Sequence, residues 1–376
     1  MKIACVVGAR PNFVKIAPLL RAVQAVPAVA PVLVHTGQHY DDAMAGQLFR
    51  DLELPAPAAS LGVGSGSHAY QTAEVMRRLE PVLAGLRPDL AVVVGDVNST
   101  LAAALTAAKL GIPVAHVEAG LRSFDRRMPE ELNRVATDAV SDYLFATEES
   151  GRENLRREGK PEDRIFLVGN VMIDTLERFR PAWERSDIRA RLGLESTPYG
   201  VVTLHRPANV DDPAVLDDVE QALAEVSREL PLVFPVHPRT RARLGDPAGA
   251  PAAAGPAGGP VGDKGIHYLD PLGYLDFIAL VAGARVVLTD SGGLQEETTA
   301  LGVPCLTLRE NTERPVTIER GTNRLVGTSR ARIVREAYRA IEEPPGARSR
   351  PPLWDGRAAE RIVAVLRERL AGAGRR

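Results

Sequence analysis

The chain has only two cysteines in 376 residues. Cys5 and Cys305 both fall inside apolar runs that are typical of buried strands. Two isolated thiols do not make the framework of disulfides or zinc ligands that stabilises small secreted and metal-binding domains. We therefore predict that both are small core residues of a protein in a reducing compartment.

Excess charge of one sign and long hydrophobic runs are also missing. The formal net charge is −2, whereas a general nucleic-acid binder needs a basic face. No apolar run reaches the length of a membrane span. Arg10 and Lys15 interrupt the apolar start too early for a signal peptide. These features predict no nucleic-acid partner, no membrane attachment and a cytoplasmic location.

The common cofactor and nucleophile motifs are absent as well. The chain has no P-loop, no G-x-S-x-G elbow and no G-x-G-x-x-G fingerprint, and its glycine-rich run at 62–66 follows no clear strand. No His, Cys and Asp positions have the spacing of metal ligands. We therefore predict neither a nicotinamide or other cofactor nor a bound metal.

What the chain does contain is a regular alternation of short apolar runs and longer helical patterns. The apolar runs, such as 90–94 and 286–288, are continuous, so both faces of each strand should be buried. This pattern predicts the α/β class with parallel sheets covered by helices. The length favours two such domains, and a long predicted helix at 170–191 stands between them. Residues 246–264 are low in complexity and predict a surface loop.

The stretch LTDSGGLQEET at 288–298 is the most informative one. A strand ends at Asp290, and small residues then open a predicted helix at 294–301. Free backbone N–H groups and the helix dipole at such a tip suit a diphosphate. Of the two acids that follow, Glu296 and Glu297, one should then accept hydrogen bonds from a ribose diol. An ordinary strand-to-helix turn explains the stretch equally well.

Three acids follow strands in the first half of the chain: Asp96, Glu118 and Glu130. Each lies in a different loop of one predicted sheet, so the three can converge on one site, where an acid of raised pKa can move protons. Purely structural roles are equally open: helix capping for Asp96 and Glu130, and an ion pair with Arg122 for Glu118.

Basic and imidazole groups also follow predicted strands. Arg10 and Lys15 open the first helix and offer positive charge beside its free N–H groups, although a solvated helix face is the alternative. In the second half His205 and His237 each follow a strand directly. A lone histidine is more often structural, but these two positions are better placed than most for a site.

Together, these motifs resemble the non-hydrolysing UDP-N-acetylglucosamine 2-epimerases. The similarity runs in order through GARPNFVK, TGQHYDD, VGDVNST, HVEAGLRSFD, MPEELNR, ATEESGRENL, VGNVMID, LHRPANVD, PVHPRT, DPLGYLDF, TDSGGLQEE, RENTERP and GTNRLVG. No single motif is specific, but their number and order are.

The resemblance implies a GT-B fold of two Rossmann-like domains with UDP in the cleft between them. We expect one domain at residues 1–170, with a C-terminal helix at about 355–376 packing back on it, and a UDP-binding domain at 171–354. It also implies a homodimer and a role in supplying cell-envelope polysaccharide.

The resemblance also assigns the site. Its catalytic positions correspond to Asp96, Glu118, Glu130 and His205. Its UDP-sugar contacts correspond to Arg10, Lys15, His205, Ser291, Gly292, Gly293, Glu297 and Arg314. Gln38 and His237 match positions that line a second, activating UDP-N-acetylglucosamine site in some bacterial members. The segment after His205 departs from the Arg-Arg-Glu-Ser pattern of those members.

The expected reaction is reversible inversion of carbon-2 of a UDP-2-acetamido sugar, UDP-N-acetylglucosamine to UDP-N-acetylmannosamine. It would proceed by elimination of UDP to a glycal and re-addition. Three alternatives use the same residues: a hydrolysing 2-epimerase that releases free N-acetylmannosamine, a GT-B glycosyltransferase, and an inactive nucleotide-sugar sensor. Other 2-acetamido or 2,3-diacetamido UDP-sugars would need the same machinery.

Overall fold

Two parallel sheets dominate the computed structural model, which describes residues 1–38, 42–236, 238–244, 261–262, 264–343 and 350–373. Contacts within the chain divide it into two compact units. Unit 1 comprises Met1–Arg178 with Pro352–Arg376, and unit 2 comprises Phe179–Pro351. Unit 1 runs to residue 178 rather than the expected 170, and unit 2 ends at residue 351 rather than 354. The surface loop predicted at 246–264 lies outside the described residues, apart from 261, 262 and 264.

Unit 1 is built on a seven-stranded sheet with the order β3-β2-β1-β4-β5-β6-β7, in which all neighbours are parallel. Its elements are β1 (Lys2–Val7), α1 (Arg10–Gln24), β2 (Ala30–His35), α2 (Asp42–Asp51), β3 (Ala59–Ser60), α3 (His68–Leu86), β4 (Leu90–Val94), α4 (Asn98–Lys109), β5 (Val114–Ala119), α5 (Pro129–Val140), β6 (Tyr143–Ala146), α6 (Glu149–Arg157), a 3₁₀ turn (Glu162–Arg164), β7 (Ile165–Leu167) and α7 (Val171–Arg178).

Unit 2 is built on a six-stranded parallel sheet with the order β10-β9-β8-β11-β12-β13. Its elements are α8 (Arg180–Trp183), α9 (Ile188–Arg191), β8 (Gly200–Thr203), α10 (Pro207–Val210), α11 (Pro213–Val226), β9 (Leu232–Pro235), α12 (Pro238–Leu244), β10 (Ile266–Leu269), α13 (Tyr274–Ala282), β11 (Val286–Thr289), α14 (Gly292–Leu301), β12 (Cys305–Thr307), α15 (Val316–Glu319), β13 (Asn323–Leu325) and α16 (Arg330–Glu342).

The last helix, α17 (Ala358–Ala373), belongs to unit 1 and packs on α1 and α7. Asp174 of α7 fixes its start, because the carboxylate accepts hydrogen bonds from the backbone N–H groups of Ala358 and Ala359 at 3.0 and 2.7 Å. Burial raises the pKa of Asp174 to about 6. Helix α17 therefore gains both a packed face and a cap from unit 1.

The predicted fold class is confirmed, because every strand pair in the described parts of both sheets is parallel. The continuous apolar runs are buried on both faces, as in β4 and β11. The single helix predicted at 170–191 is wrong. It is divided into α7, α8 and α9. Pro181 accounts for the break before α8, because it lacks the N–H that a continuing helix needs and is accommodated in the first turn of α8. Among the described residues no helix is both long and apolar enough to cross a membrane.

Candidate functional site

In unit 1 the loops after β1, β4 and β5 meet at the carboxyl edge of the sheet. Asn12, in the first turn of α1, links two of them. Its side-chain oxygen accepts from the N–H groups of Gly8 and Ala9, both at 3.2 Å, and its amide donates to the carbonyl of Val94 at 2.9 Å. The start of α1 is thereby tied to the end of β4, which brings Arg10 and Lys15 to the same edge as the predicted acids.

Glu118 lies at this edge in a buried ion pair with Lys15; the two side chains are only 4% and 5% exposed. Its φ of +75° is left-handed, a conformation that a non-glycine residue adopts only when its surroundings hold it there. The register of β5 against β6 also shifts between Val117 and Ala119. The bulge at Glu118 turns its carboxylate towards Lys15. The alternative pairing with Arg122 is wrong, because Arg122 binds Asp138 and Glu158, each at 2.7 Å.

Asp96 follows β4, and its carboxylate binds a guanidinium from α5. Nη1 of Arg134 lies 2.6 Å from Oδ2 of Asp96. The Asp96 side chain is 20% exposed, whereas Arg134 is 1% exposed. The capping role considered for Asp96 is wrong, since α4 begins at Asn98 and its N-cap is Val97. Asp96 therefore combines a fixed direction with access to a ligand.

Glu130 and Glu131 are neighbours with different surroundings. Glu130 is partly exposed in the first turn of α5, after the N-cap Met128, so the N-cap role is wrong for it as well. Glu131 is buried and pairs with Arg134 at 2.5 Å while accepting from the N–H groups of Ser123 and Phe124. Burial alone would raise the pKa of Glu131, but the Ser123 N–H and Arg134 outweigh it and hold the pKa low. Glu131 anchors the loop and leaves Glu130 as the accessible acid.

Of the two residues assigned to a second nucleotide site, the structure describes only Gln38. Gln38 is buried, and its side-chain oxygen accepts from the backbone N–H and the hydroxyl of Ser99 at 3.2 and 2.7 Å. His237 lies outside the described residues. The second site stays a prediction.

In unit 2, His205 and Asp290 follow the neighbouring strands β8 and β11. Nδ1 of His205 is 2.9 Å from Oδ1 of Asp290; the histidine side chain is 41% exposed and the aspartate is fully buried. Asp290 also accepts from the backbone N–H groups of His205 and Arg206 at 3.0 and 2.8 Å. Burial opposes ionisation of Asp290, but His205 and these N–H groups prevail and lower its pKa. The sequence reasoning did not select Asp290, although its place in the TDSGG motif marks it.

Helix α14 begins at Gly292, two residues earlier than predicted, with Ser291 as its N-cap. The Ser291 hydroxyl accepts from the N–H of Leu294. A Cβ added to Gly292 would lie 2.6 Å from Nη1 of Arg314, so glycine is needed for this close approach. The tip therefore places the start of a ten-residue helix beside a guanidinium, an arrangement that suits a diphosphate.

The two acids that follow this tip in α14, Glu296 and Glu297, are buried, and each has a partner. Glu296 binds Arg314 at 2.8 Å, and Arg314 also pairs with Glu313. Glu297 accepts from the hydroxyl of Tyr274 at 3.2 Å, and burial, followed by the nearby Glu296, raises its pKa to about 8. Tyr274 and Glu313 were not predicted as site residues, although Tyr274 lies in the quoted DPLGYLDF motif and Glu313 directly precedes Arg314.

These observations first indicate the class of protein. Two units of parallel α/β structure with polar side chains at the carboxyl ends of their strands, one of them with a glycine-opened helix beside an arginine, are typical of α/β enzymes that bind nucleotides. A family model described as UDP-N-acetylglucosamine 2-epimerase matches residues 21–367. The chain belongs to this family and is an epimerase of UDP-sugars.

Individual relatives support the same assignment. The chain is 41% identical to the UDP-N-acetylglucosamine 2-epimerase of Methanocaldococcus jannaschii, over 97% of this chain and 99% of that protein. A crystal structure of that enzyme in complex with UDP-GlcNAc and UDP matches with a TM-score of 0.88 and 39% identity, covering 98% of this chain and 100% of the other. The chain is also 40% identical to the UDP-2,3-diacetamido-2,3-dideoxy-D-glucuronate 2-epimerase of Pseudomonas aeruginosa, over 91% and 92% of the two chains. The predicted family, fold class and epimerase activity are confirmed.

Within the described parts of the chain, no group of three or more His, Cys, Asp or Glu side chains is arranged to hold a metal ion.

Proposed function

We propose that this chain interconverts UDP-N-acetylglucosamine and UDP-N-acetylmannosamine by eliminating UDP and adding it back. The observation that carries the proposal is the pair of acids at the ends of neighbouring strands β4 and β5, Asp96 and Glu118, each held in direction by a cation. Relatives at about 40% identity that are named as 2-epimerases support it.

The chemistry of the sugar explains why acids are needed. The proton on carbon-2 has no carbonyl beside it, so simple deprotonation is slow. In an elimination, a base takes this proton while the bond from carbon-1 to the UDP oxygen breaks, which leaves a glycal and UDP. UDP then attacks carbon-1 again as a second acid delivers a proton to the other face of carbon-2. Asp96, Glu118 and Glu130 are the proposed proton-transfer groups, and each such group contributes about 10²–10⁴-fold to the rate.

The departing UDP also has to be stabilised. Arg10, Lys15, His205, Arg314 and the tip formed by Ser291, Gly292 and Gly293 are the proposed diphosphate contacts. Glu297 is the proposed acceptor for the ribose hydroxyls. Support comes from Arg314, which lies against Gly292, and from His205, whose ring is oriented by Asp290 and 41% exposed.

The elimination mechanism has a direct test in heavy water. Incubation with UDP-N-acetylglucosamine, followed by NMR, should give UDP-N-acetylmannosamine with deuterium at carbon-2. Epimer that retains the original hydrogen there would overturn the mechanism. Free N-acetylmannosamine would instead indicate a hydrolysing enzyme, and a requirement for an acceptor would indicate a glycosyltransferase.

A second substrate has nearly equal support, because the Pseudomonas aeruginosa relative that is named for a diacetamido-glucuronate is 40% identical. Measuring kcat/KM for both UDP-sugars decides between them. A preference of more than about 100-fold for the diacetamido sugar, roughly 2.7 kcal/mol of transition-state binding, would replace the first assignment.

We also propose that the protein is a homodimer. Helix α5 buries its polar side and exposes an apolar one, where Leu132 and Val135 are 43% and 38% exposed. The adjacent α4 adds the partly exposed Leu101, Leu105 and Ala108. An apolar face with few charges is typical of permanent interfaces, for which a second copy is the simplest partner.

The dimer is tested by light scattering after chromatography. L132E with V135E should give a monomer, whereas the control I318E, at a residue of unit 2 that is 40% exposed, should leave the dimer intact. A monomeric wild-type protein would remove the proposal. For location we propose the cytoplasm, because both cysteines are buried free thiols; recovery of the native protein in a periplasmic or secreted fraction would contradict it.

A further inference from the structure

His116 of β5 is fully buried, and both of its ring nitrogens are engaged. Nδ1 lies 2.6 Å from Oδ1 of Asp138, and Nε2 lies 2.8 Å from the carbonyl oxygen of Gly95. A carbonyl can only accept, so Nε2 carries a hydrogen. His116 and Arg122 outweigh burial and lower the pKa of Asp138, so its carboxylate also accepts, and Nδ1 donates to it.

The second carboxylate oxygen of Asp138 binds the loop after β5. Oδ2 accepts from the backbone N–H of Gly120 at 3.0 Å and from Arg122 at 2.7 Å. The chain of contacts therefore runs from the Gly95 carbonyl through His116 and Asp138 to the Gly120 N–H. It connects the loop after β4 to the loop after β5 inside the unit.

The two ends of this chain flank the proposed acids. The Gly95 carbonyl belongs to the peptide group that joins Gly95 to Asp96, and Gly120 follows Glu118 by two residues. Gly95, Glu118 and Gly120 all have left-handed φ angles, of +69°, +75° and +83°. Glycine adopts this conformation readily, whereas Glu118 keeps it only where its surroundings determine it. His116 and Asp138 supply hydrogen bonds at two of these three residues.

We propose that His116 and Asp138 are positioning residues of the epimerase, holding the backbones that carry Asp96 and Glu118. The inference rests on the proposed function, since it assigns importance to the geometry of those two acids. Both side chains are fully buried, so they act through the backbone and not on a ligand. An apolar pair of similar volume could fill the same space without buried charge, but it could not hold the Gly95 carbonyl and the Gly120 N–H.

Two substitutions of His116 separate its hydrogen bonds. Gln places its amide near the position of Nε2, so H116Q keeps the bond to the Gly95 carbonyl; Asn mimics Nδ1, so H116N keeps only the bond to Asp138. D138N weakens the other end of the chain. D174N is the matched control, because Asp174 is also a buried carboxylate that accepts backbone N–H groups, but at the start of α17.

We expect H116N and D138N to lower kcat by about 10- to 100-fold, the effect of a small displacement of catalytic groups. KM and the Kd of UDP should change by less than about threefold, and H116Q should be the most active of the three variants. D174N should lower Tm by a similar amount yet keep kcat. If H116N does not fold, D138N against D174N provides the same comparison.

Two results would overturn the proposal: kcat for H116N and D138N within about threefold of D174N, or equal losses in kcat and in the folded fraction. Failure of the proposed function is distinguishable, because it would be evident in the wild-type protein as absence of deuterium at carbon-2. Wild-type exchange together with unaffected H116N and D138N would remove only the positioning role.

Discussion

The two sheet edges carry acids at equivalent places but use them differently. Asp96 follows β4 and Asp290 follows β11, yet Asp96 is 20% exposed and paired with an arginine, while Asp290 is fully buried and accepts backbone N–H groups. Asp290 holds its loop and orients His205, whereas Asp96 has a face available to a ligand. Position at a strand end therefore identifies a site, and burial and partners identify the role within it.

The comparison extends to the backbone and the cations. Unit 1 places the left-handed Glu118 beside Lys15, whereas unit 2 places a helix tip beside Arg314. The first arrangement suits proton transfer and the second suits an anion. If this division of work is right, changes to the acids of unit 1 should affect kcat, and changes at the helix tip of unit 2 should affect the binding of UDP.

The largest effect is expected for the acids of unit 1. D96N and E118Q should each lower kcat by about 10²–10⁴-fold, because each removes a proton-transfer group. For D96N the Kd of UDP, measured by calorimetry, should stay within about threefold of wild type, because Asp96 pairs with Arg134, which is not a proposed diphosphate contact. E118Q also removes the charged partner of Lys15, so D96N is the variant that separates the two effects. Parallel losses in kcat and UDP affinity would erase the distinction between the units.

The next effect concerns His205. H205N keeps a donor at the position of Nδ1, and therefore the contact with Asp290, but loses Nε2. We expect kcat/KM to fall by about 100-fold with little change in Tm. H205A also removes the contact with Asp290, so it should lower the stability of the fold as well. Full activity of H205N would reduce His205 to a partner of Asp290.

The fold could be inferred from the sequence wherever strands are central. The continuous apolar runs of β4 and β11 predicted parallel, doubly covered strands. The edge strands β3, β10 and β13 were missed, because each has only two to four residues and is partly exposed. Such strands lack the apolar run that the prediction depends on.

The site was predictable in its residue types but not in its pairs. Glu118 was expected to have Arg122 as an alternative partner, four positions away, but that spacing brings side chains together only on a helix. Its actual partner, Lys15, comes from a helix two strands away in the sheet. The Asp96–Arg134 pair likewise depends on where α5 packs. Sheet order and a left-handed residue have no local signal in the sequence.

A smaller effect is expected at the helix tip of unit 2. In G292A the added methyl group would meet Nη1 of Arg314 at 2.6 Å and Oε1 of Glu313 at 2.8 Å. Because these distances are too short for a methyl group, the Arg314 guanidinium should shift from the tip, at the expense of its ion pairs with Glu296 and Glu313. The shift should raise the Kd of UDP by about 10-fold, roughly 1.4 kcal/mol. G85A is the control, since a Cβ at Gly85 meets nothing within 4 Å. An unchanged Kd in G292A would indicate that the diphosphate binds elsewhere.

The last prediction concerns the buried acids of unit 2 and is measured on stability rather than on activity. Burial, then Glu296, raises the pKa of Glu297 from 4.5 to about 8 despite the hydrogen bond from Tyr274. Between these values the folded state keeps a proton that the unfolded state releases, so this contribution to stability is complete below about pH 4.5 and is lost as pH rises to about 8.

E297Q cannot ionise and should remove that slope. The free energy of unfolding in urea should fall between pH 6 and 8 by about 2 kcal/mol more for wild type than for E297Q. D174N is the control, because the pKa of Asp174 is raised only to about 6, so its slope ends where the measured interval begins. Parallel curves for wild type and E297Q would contradict this, because they would mean that Glu297 is already ionised in the folded protein before UDP binds.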